Sequence, residues 1–436
     1  MRPTQDFNTQ NLLWMRGRKL SPSILKSAPS SLGGWKQLSA KIEEEIARNT
    51  FKFDGIFASS ASGKPALSTS SASDSLVLRK INDNIRRAYG IRQAQRSKAV
   101  KLAKVALGEW TPKGVVSVDL KSCFESITPR EVIEKLKADG LVSSQTLHLL
   151  EIFFKQARKF GSNKYQKGLP RGILISSTMA ELYLKDLDFR IAKTPGLYVY
   201  IRYVDDILAL SAIPSGDLLR LITDIVTSQG LALNSAKSKT VDAGCKCSFT
   251  CKHAIGTCPC KDKCKCQEVN SNYEAVDYLG YKLIFKTGKS LVLSAPCYAL
   301  ISDSKCSKIK KRIGLAIVDF RKFGDLTLLE QRIRFLTSNV TVDQSLKNSK
   351  LLSGIAYTYE QYSPPPHPHP FTSSTLENLD KFLRTQLRKL SSSHGLNFMQ
   401  RRTLIRHSFV NGHGKKHRTI FAPAQMRKIR SCWKDG

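Results

Sequence analysis

Between residues 197 and 210 the chain reads LYVYIRYVDDILAL, an apolar and aromatic run broken by Arg202 and then by Asp205-Asp206. Val, Ile, Tyr and Leu on both flanks predict two short buried strands that reverse at Val204-Asp205. Upstream, Val115-Val116-Ser117-Val118 predicts another strand, and Asp119 ends it. Helical spacing predicts a helix over residues 41–48, with Ile42 and Ile46 on one face. Thr128 as cap, Pro129 in the first turn and Glu131 at the third helical position predict a helix that runs to Ala138 and stops before Gly140. Further helices are predicted over residues 145–160, 177–190 and 217–228, with Asp186 and Asp188 as surface charges. Basic amphipathic helices are predicted over 308–321 and 326–337, and another amphipathic helix over 376–390. Residues 57–75 are rich in Ser and Ala and poor in large apolar side chains, which predicts a mobile loop. The Pro-rich run 363–370 marks a linker or rigid turn, with His367 and His369 as spacers.

The chemistry is in the acidic pair. Two adjacent carboxylates inside an apolar run carry desolvation and repulsion costs unless a cation neutralises them. At a hairpin tip their oxygens aim at one place, and hard oxygen donors suit Mg²⁺. Asp119 supplies the third carboxylate. Two metal ions roughly 3.5–4 Å apart can activate a 3′-hydroxyl and stabilise leaving pyrophosphate in an in-line displacement. An isolated Asp-Asp pair is more often a solvated turn; the apolar flanks and the strand-ending Asp119 favour the metal reading here.

Five blocks in order resemble the palm of reverse transcriptases, over about residues 80–290. The first is Ser117-Val118-Asp119-Leu120-Lys121-Ser122-Cys123-Phe124, and the second is Gly168-Leu169-Pro170-Arg171-Gly172 followed by Ser176. Tyr203-Val204-Asp205-Asp206 is similar to the YxDD box. The fourth is Gly230-Leu231-Ala232-Leu233-Asn234 with Lys237, and the fifth, like a primer grip, is Tyr278-Leu279-Gly280-Tyr281. The resemblance implies catalysis by Asp119, Asp205 and Asp206, with Leu120 joining them around two Mg²⁺. It implies that Phe124 screens the sugar of an incoming nucleotide, that Gly172 lets backbone approach template or nucleotide, and that Lys237 neutralises or protonates pyrophosphate. A core aromatic and a solvated lysine are the plainer readings of Phe124 and Lys237. Arg87-Ala88-Tyr89-Gly90-Ile91 with Arg96 resembles a fingers block in which Arg87, assisted by Lys80, reaches the triphosphate; a solvated or RNA-facing surface is the alternative. Leu279 and Gly280 would form the primer grip.

Two positions depart from the family pattern. Arg171 stands where Gln is usual, and Ser176-Ser177 replaces Ser-Pro. Arg171 is read as a contact to nucleotide or template phosphate in place of a base edge. Bacterial defence-associated reverse transcriptases of the abortive-infection and unknown-group types look similar here. The tail, with Phe409, Gly412, Lys416, Phe421 and Ile429 to Trp433, resembles theirs too.

Charge narrows the partners. The 436 residues carry 70 Lys+Arg against 35 Asp+Glu, a net of +35 spread along the chain. That fits a long polyanion track better than one small patch. No apolar stretch approaches the ~20 residues of a membrane span, and the N-terminal residues do not read as a signal peptide, so a cytoplasmic protein without a membrane partner is expected. The expected partners are an RNA template, a DNA product and dNTPs, with a dedicated noncoding RNA, partner proteins or self-assembly also compatible.

Seven of the 11 cysteines fall at Cys245, Cys247, Cys251, Cys258, Cys260, Cys264 and Cys266, with His253 among them. The C-x-C-x3-C spacing occurs twice, which predicts a structural Zn²⁺ knuckle where metal substitutes for a core. A reduced thiol-rich loop and an Fe–S cluster are the alternatives.

The expected fold is α+β, a right-hand polymerase with fingers, a palm of antiparallel sheet backed by helices, a helical thumb and a basic helical C-terminal module. The expected boundaries are an N-terminal extension and mobile loop over 1–75 and fingers over 76–114 with parts of 128–170. The palm covers 115–295 with the Cys-rich insert at 241–270, the thumb 296–345 and the C-terminal module 346–436. The expected function is RNA-directed DNA synthesis by two-metal phosphoryl transfer, in bacterial antiphage defence. Template-independent or protein-primed synthesis on the same palm, and a non-catalytic RNA-binding scaffold, are the alternatives.

Overall fold

The structure, a computed structural model, describes residues 4–16, 22–61, 63–109, 113–160, 168–243, 273–286, 296–343, 350–366, 375–390 and 396–433. The architecture is α+β, with helices mixed among small, mainly antiparallel sheets.

Residues 57–75, expected as a mobile loop, fold instead as a hairpin. Strands β1 (Ile56–Ala61) and β2 (Lys64–Thr69) pair antiparallel, and a helix starts at Ala72. Short side chains do not prevent pairing: the Ser59 and Ser68 hydroxyls lie 2.9 Å apart across the ladder, Leu67 is buried, and Gly63 takes φ 74 at the tip. Ser71 caps the following helix, Ala72–Ala88, by accepting from the Asp74 amide.

Strands β3 (Lys113–Asp119), β4 (Leu197–Tyr203), β5 (Asp206–Ser211) and β6 (Lys239–Ala243) form one sheet in the order β4-β5-β3-β6. Every residue of β3 is buried, as expected of a central strand. In β3 and β6, Val115 faces Val241 in antiparallel register. Buried Lys113 turns its ammonium onto the Ala106 and Leu107 carbonyls, 3.1 and 3.2 Å away, at the end of the helix Arg96–Gly108. A cation there complements the helix dipole and occupies carbonyls that lack helical partners.

Strands β7 (Tyr273–Tyr278), β8 (Tyr281–Lys286) and β9 (Tyr298–Ile301) form an antiparallel meander. Its first turn is Leu279-Gly280, both with positive φ (49 and 77), as a type I′ hairpin turn requires. Strands β10 (Asn339–Asp343), β11 (Lys350–Gly354) and β12 (Arg418–Ile420) form a third sheet, in which β12 runs parallel to β10. The terminal module is therefore not wholly helical. A three-residue strand that follows a basic run leaves no alternation to detect in sequence.

The predicted helices appear as Leu32–Ala47, Pro129–Asp139, Ser144–Ala157, Leu174–Ala192, Ser215–Ser228, Asp303–Phe323, Leu326–Thr337 and Leu376–Arg388. Thr128 accepts from the Glu131 amide, and Gly140 ends its helix in the left-handed region at φ 62. The chain divides into two compact units: residues 1–94, 118–207 and 217–238, and residues 95–117, 208–216 and 239–436. In the first unit the helix Ala72–Ala88 packs on Leu174–Ala192, and Ile81, Ile85, Met179 and Leu182 on these helices are buried. Within that contact the Thr178 hydroxyl donates to Asn82 Oδ1 at 2.5 Å. Among the described residues no helix is long and apolar enough to cross a membrane.

Candidate active site

The end of β3 and the β4–β5 turn bring three carboxylates together in the first unit. One oxygen from each of Asp119, Asp205 and Asp206 lies within 4.8 Å of the others. Asp119 is buried, and the other two are partly exposed. The backbone fixes this convergence: the Leu120 amide donates to the Asp205 carbonyl at 2.9 Å, and the Asn234 amide donates to the Asp119 carbonyl at 2.8 Å. Hydrogen bonds across the acidic corner therefore set the spacing before the side chains are placed.

Val204 takes φ 59, a region unfavourable for a β-branched residue. Arg202 holds the turn. Its Nη1 donates to the Val204 carbonyl at 2.9 Å. Its Nε and Nη2 reach Asp188 at 2.6 and 2.7 Å, and Nη1 and Nη2 reach Glu181 at 3.3 and 2.8 Å. Tyr200 donates to the same Asp188 at 2.7 Å. Burial alone would lower the Arg202 pKa, but hydrogen bonds to Asp188 and Glu181 outweigh it and raise the pKa. Asp188 is thus the anchor of a buried cation and not a plain surface charge. The sequence signal was Arg202 itself, a single cation in an apolar strand.

Lys237 sits beside the acids. Its Nζ is 2.8 Å from Asp119 Oδ1, and Asn234 Nδ2 donates to Asp119 Oδ2 at 3.2 Å. The Asp119 hydrogen bond raises the Lys237 pKa. Burial raises the Asp205 pKa, and the nearby Asp119 charge adds to it, against Lys237 and Arg171. Hard oxygen donors, clustered like charges and a carboxyl pushed toward protonation form a donor set that fits a divalent cation.

Arg171 forks onto Glu125, Nε to Oε1 at 2.9 Å and Nη2 to Oε2 at 3.2 Å, and lies 5.3 Å from the centre of the Phe124 ring. Burial would raise the Glu125 pKa, but the Arg171 hydrogen bonds bring it below the ordinary value. Gly172 has φ 86, and a Cβ there would stand 2.4 Å from the Leu67 carbonyl oxygen, so the β2 strand excludes any other residue. The Leu67 amide donates to the Arg171 carbonyl at 2.8 Å, joining the hairpin to this loop. Phe124 also lines a small pocket with Cys123, Val204, Asn82, Ser177 and Glu181.

Lys80 is placed elsewhere. It is fully buried, and its ammonium donates to the Thr4 carbonyl and to Asn84 Oδ1, the latter at 2.7 Å. A lysine committed to the interior in this way does not support a triphosphate contact, and its helical neighbours hid this burial from sequence reasoning. Arg87 is half-exposed and paired with Asp83 at 2.9 Å along its helix. Leu279 and Gly280 belong to the second unit, where the Leu279 carbonyl accepts from Arg96 Nη2 and the Gly280 carbonyl from the Ser302 amide at 3.0 Å. The cysteine and histidine positions from Cys245 to Cys266, and the zinc expected there, lie outside the described residues.

The family model described as reverse transcriptase (RNA-dependent DNA polymerase) matches residues 72–283, which include every residue of the acidic site. Residues 72–283 therefore form a reverse-transcriptase-like domain, and the acidic cluster lies inside it. Solved structures with a distant likeness include the telomerase from Candida albicans in complex with a TWJ fragment of telomeric RNA. It is 14% identical, with 81% of this chain and 49% of that chain covered and a TM-score of 0.32. The apo telomerase from Candida tropicalis is 12% identical, with 91% and 60% covered and a TM-score of 0.32. The chain thus spans about half the length of the first of these and somewhat more of the second. No curated protein matches the sequence.

Proposed function

We propose that this chain is an RNA-directed DNA polymerase that extends a 3′ end or a priming group with dNTPs. The observation that carries the reading is the convergence of Asp119, Asp205 and Asp206 within 4.8 Å, inside a domain matched to reverse transcriptases. These three carboxylates, with Leu120 following the first, would hold two Mg²⁺. Ions so held supply a lowered 3′-hydroxyl pKa and charge stabilisation at the leaving pyrophosphate. In the transfer, the 3′ oxygen gives its proton to solvent water and bonds to the α-phosphorus as the bond to pyrophosphate breaks. Lys237, already beside Asp119, offers the departing pyrophosphate a positive charge and a proton. Phe124 sits under Arg171 as a flat wall against the sugar, and Gly172 keeps the adjoining backbone close. Arg87 remains a candidate phosphate contact once Asp83 releases it. Leu279 and Gly280 are the proposed primer grip. The net charge of +35 supports an RNA template and a DNA product as partners.

One observation favours a second reading. Arg171 stands where reverse transcriptases usually carry Gln, and its guanidinium is bound to Glu125. A residue held in this way does not read a template base, which favours template-independent or protein-primed synthesis on the same acids. Extension assays with each dNTP alone, with and without added RNA, separate the two. Product complementary to the RNA supports templating; homopolymer made without RNA supports the second reading. The likeness to defence-associated enzymes extends the proposal to antiphage defence, which phage plating on cells expressing active and Asp206→Asn protein tests. The zinc proposal rests on cysteine spacing alone, and metal analysis of purified protein decides it.

A further inference from the structure

We propose that a basic pocket in the second unit, built from residues outside the acidic site, binds a phosphate monoester. The pocket encloses about 300 Å³ and is lined by Arg334, Arg406, His407, His417 and Arg418. The three arginines come from three separate places: the helix Leu326–Thr337, the C-cap of the helix Phe398–Ile405, and β12. Among the described residues none of the three forms an ion pair. Three guanidinium groups around one concavity repel each other unless an anion joins them, and planar guanidinium forks match phosphate oxygens.

The walls are built closely. A Cβ on Gly412 would lie 1.6 Å from the Thr337 carbonyl oxygen, so the segment Phe409–Gly414 meets the end of the helix Leu326–Thr337 with no room for a side chain. Asn339 Nδ2 donates to the Gly412 and His417 carbonyls at 3.1 and 3.2 Å, and the Ser338 hydroxyl donates to Thr419 Oγ1 at 3.1 Å. Arg334 Nε donates to the same Thr419 oxygen at 3.2 Å, which braces the guanidinium while its two terminal nitrogens make no hydrogen bond among the described residues. Two acids lie nearby: Glu330, 3.6 Å from His407 Nε2, and buried Asp380, which accepts from the hydroxyl of pocket-lining Ser408. Burial holds His407 below its ordinary pKa, against the pull of Glu330, so His407 adds no charge to that of the arginines at neutral pH.

A monoester fits this donor set better than a phosphodiester. It carries close to two negative charges and three terminal oxygens, whereas a diester within a strand carries one charge and two. The end of a nucleic-acid strand and a free nucleotide or phosphate share that chemistry. Assigning the phosphate to a strand end rests on the polymerase reading; the phosphate chemistry of the pocket does not.

The test measures binding of one short single-stranded RNA to the full chain, with either a 5′-phosphate or a 5′-hydroxyl, by fluorescence anisotropy with and without excess inorganic phosphate. The 5′-phosphate should tighten binding about tenfold, and inorganic phosphate should remove that gain. Arg406→Gln with Arg418→Gln, both exposed positions, should abolish the preference without changing the melting temperature. Asp206→Asn should keep it, so failure here and failure of the polymerase reading are told apart. Competition by inorganic phosphate at the arginines without any 5′-phosphate preference would assign the pocket to free phosphate or nucleotide. Equal affinities with no competition, or a preference that survives the double substitution, would overturn the proposal.

Discussion

Lys237 and Asp119 share a charged hydrogen bond of 2.8 Å, so the lysine occupies an oxygen that a divalent ion would use. Metal binding and this ion pair compete for one carboxylate. Lys237→Ala should therefore lower the Mg²⁺ concentration for half-maximal rate, while cutting turnover about a hundredfold through loss of proton donation to pyrophosphate. A Mg²⁺ titration of the steady-state rate reads both effects. Unchanged turnover would remove Lys237 from phosphate handling.

Phe124 lies beneath Arg171, whose guanidinium is forked onto Glu125. Phe124→Ala should raise incorporation of ribonucleotides relative to deoxynucleotides by at least about tenfold. Competition between the two sugars in a single extension reaction measures it. An unaltered ratio would return Phe124 to the core.

Arg202 bridges Asp188 and Glu181 while holding the Val204 carbonyl. Arg202→Met would leave two partly buried carboxylates facing each other and a strained turn without its brace. The expected loss is about 3–5 kcal/mol, as for other broken buried ion pairs, read by urea unfolding. A loss under about 1 kcal/mol would show that the network does not support the turn.

Asp74 is buried beneath the β1–β2 hairpin, where its Oδ2 accepts from the Gly55 amide at 2.9 Å. Burial raises its pKa from 3.8 to about 6, outweighing that hydrogen bond. A carboxyl whose folded pKa is raised contributes stability below its unfolded value and loses it as pH climbs through the folded value. The protein should therefore lose up to about 3 kcal/mol between roughly pH 4 and pH 6 from this group. Melting curves of wild type and Asp74→Asn across that range should diverge, with the variant gaining relative stability as pH rises. Parallel curves would refute the linkage.

Much of this arrangement was legible in the sequence because it depends on local pattern. Alternating apolar strands around Asp205-Asp206 placed the turn correctly, and Thr128, Pro129 and Gly140 marked both ends of a helix. Most of what escaped depends on partners that no local pattern links. Lys80 looks like any helical lysine until Thr4 and Asn84 enclose it. Asp188 looks exposed until Arg202 reaches it from β4. The Ser-rich hairpin was hidden because strand pairing is a backbone property that small side chains neither announce nor prevent. The Arg171–Glu125 fork spans a loop and a short helix, and no spacing rule links the two.

The central claim is tested most directly by Asp205→Asn and Asp206→Asn, which keep side-chain volume and remove charge. The measurement is dNTP incorporation alongside RNA affinity on the same preparations. The account predicts that incorporation falls by at least about a thousandfold in each while RNA affinity stays within about threefold. Incorporation retained in both variants would contradict it.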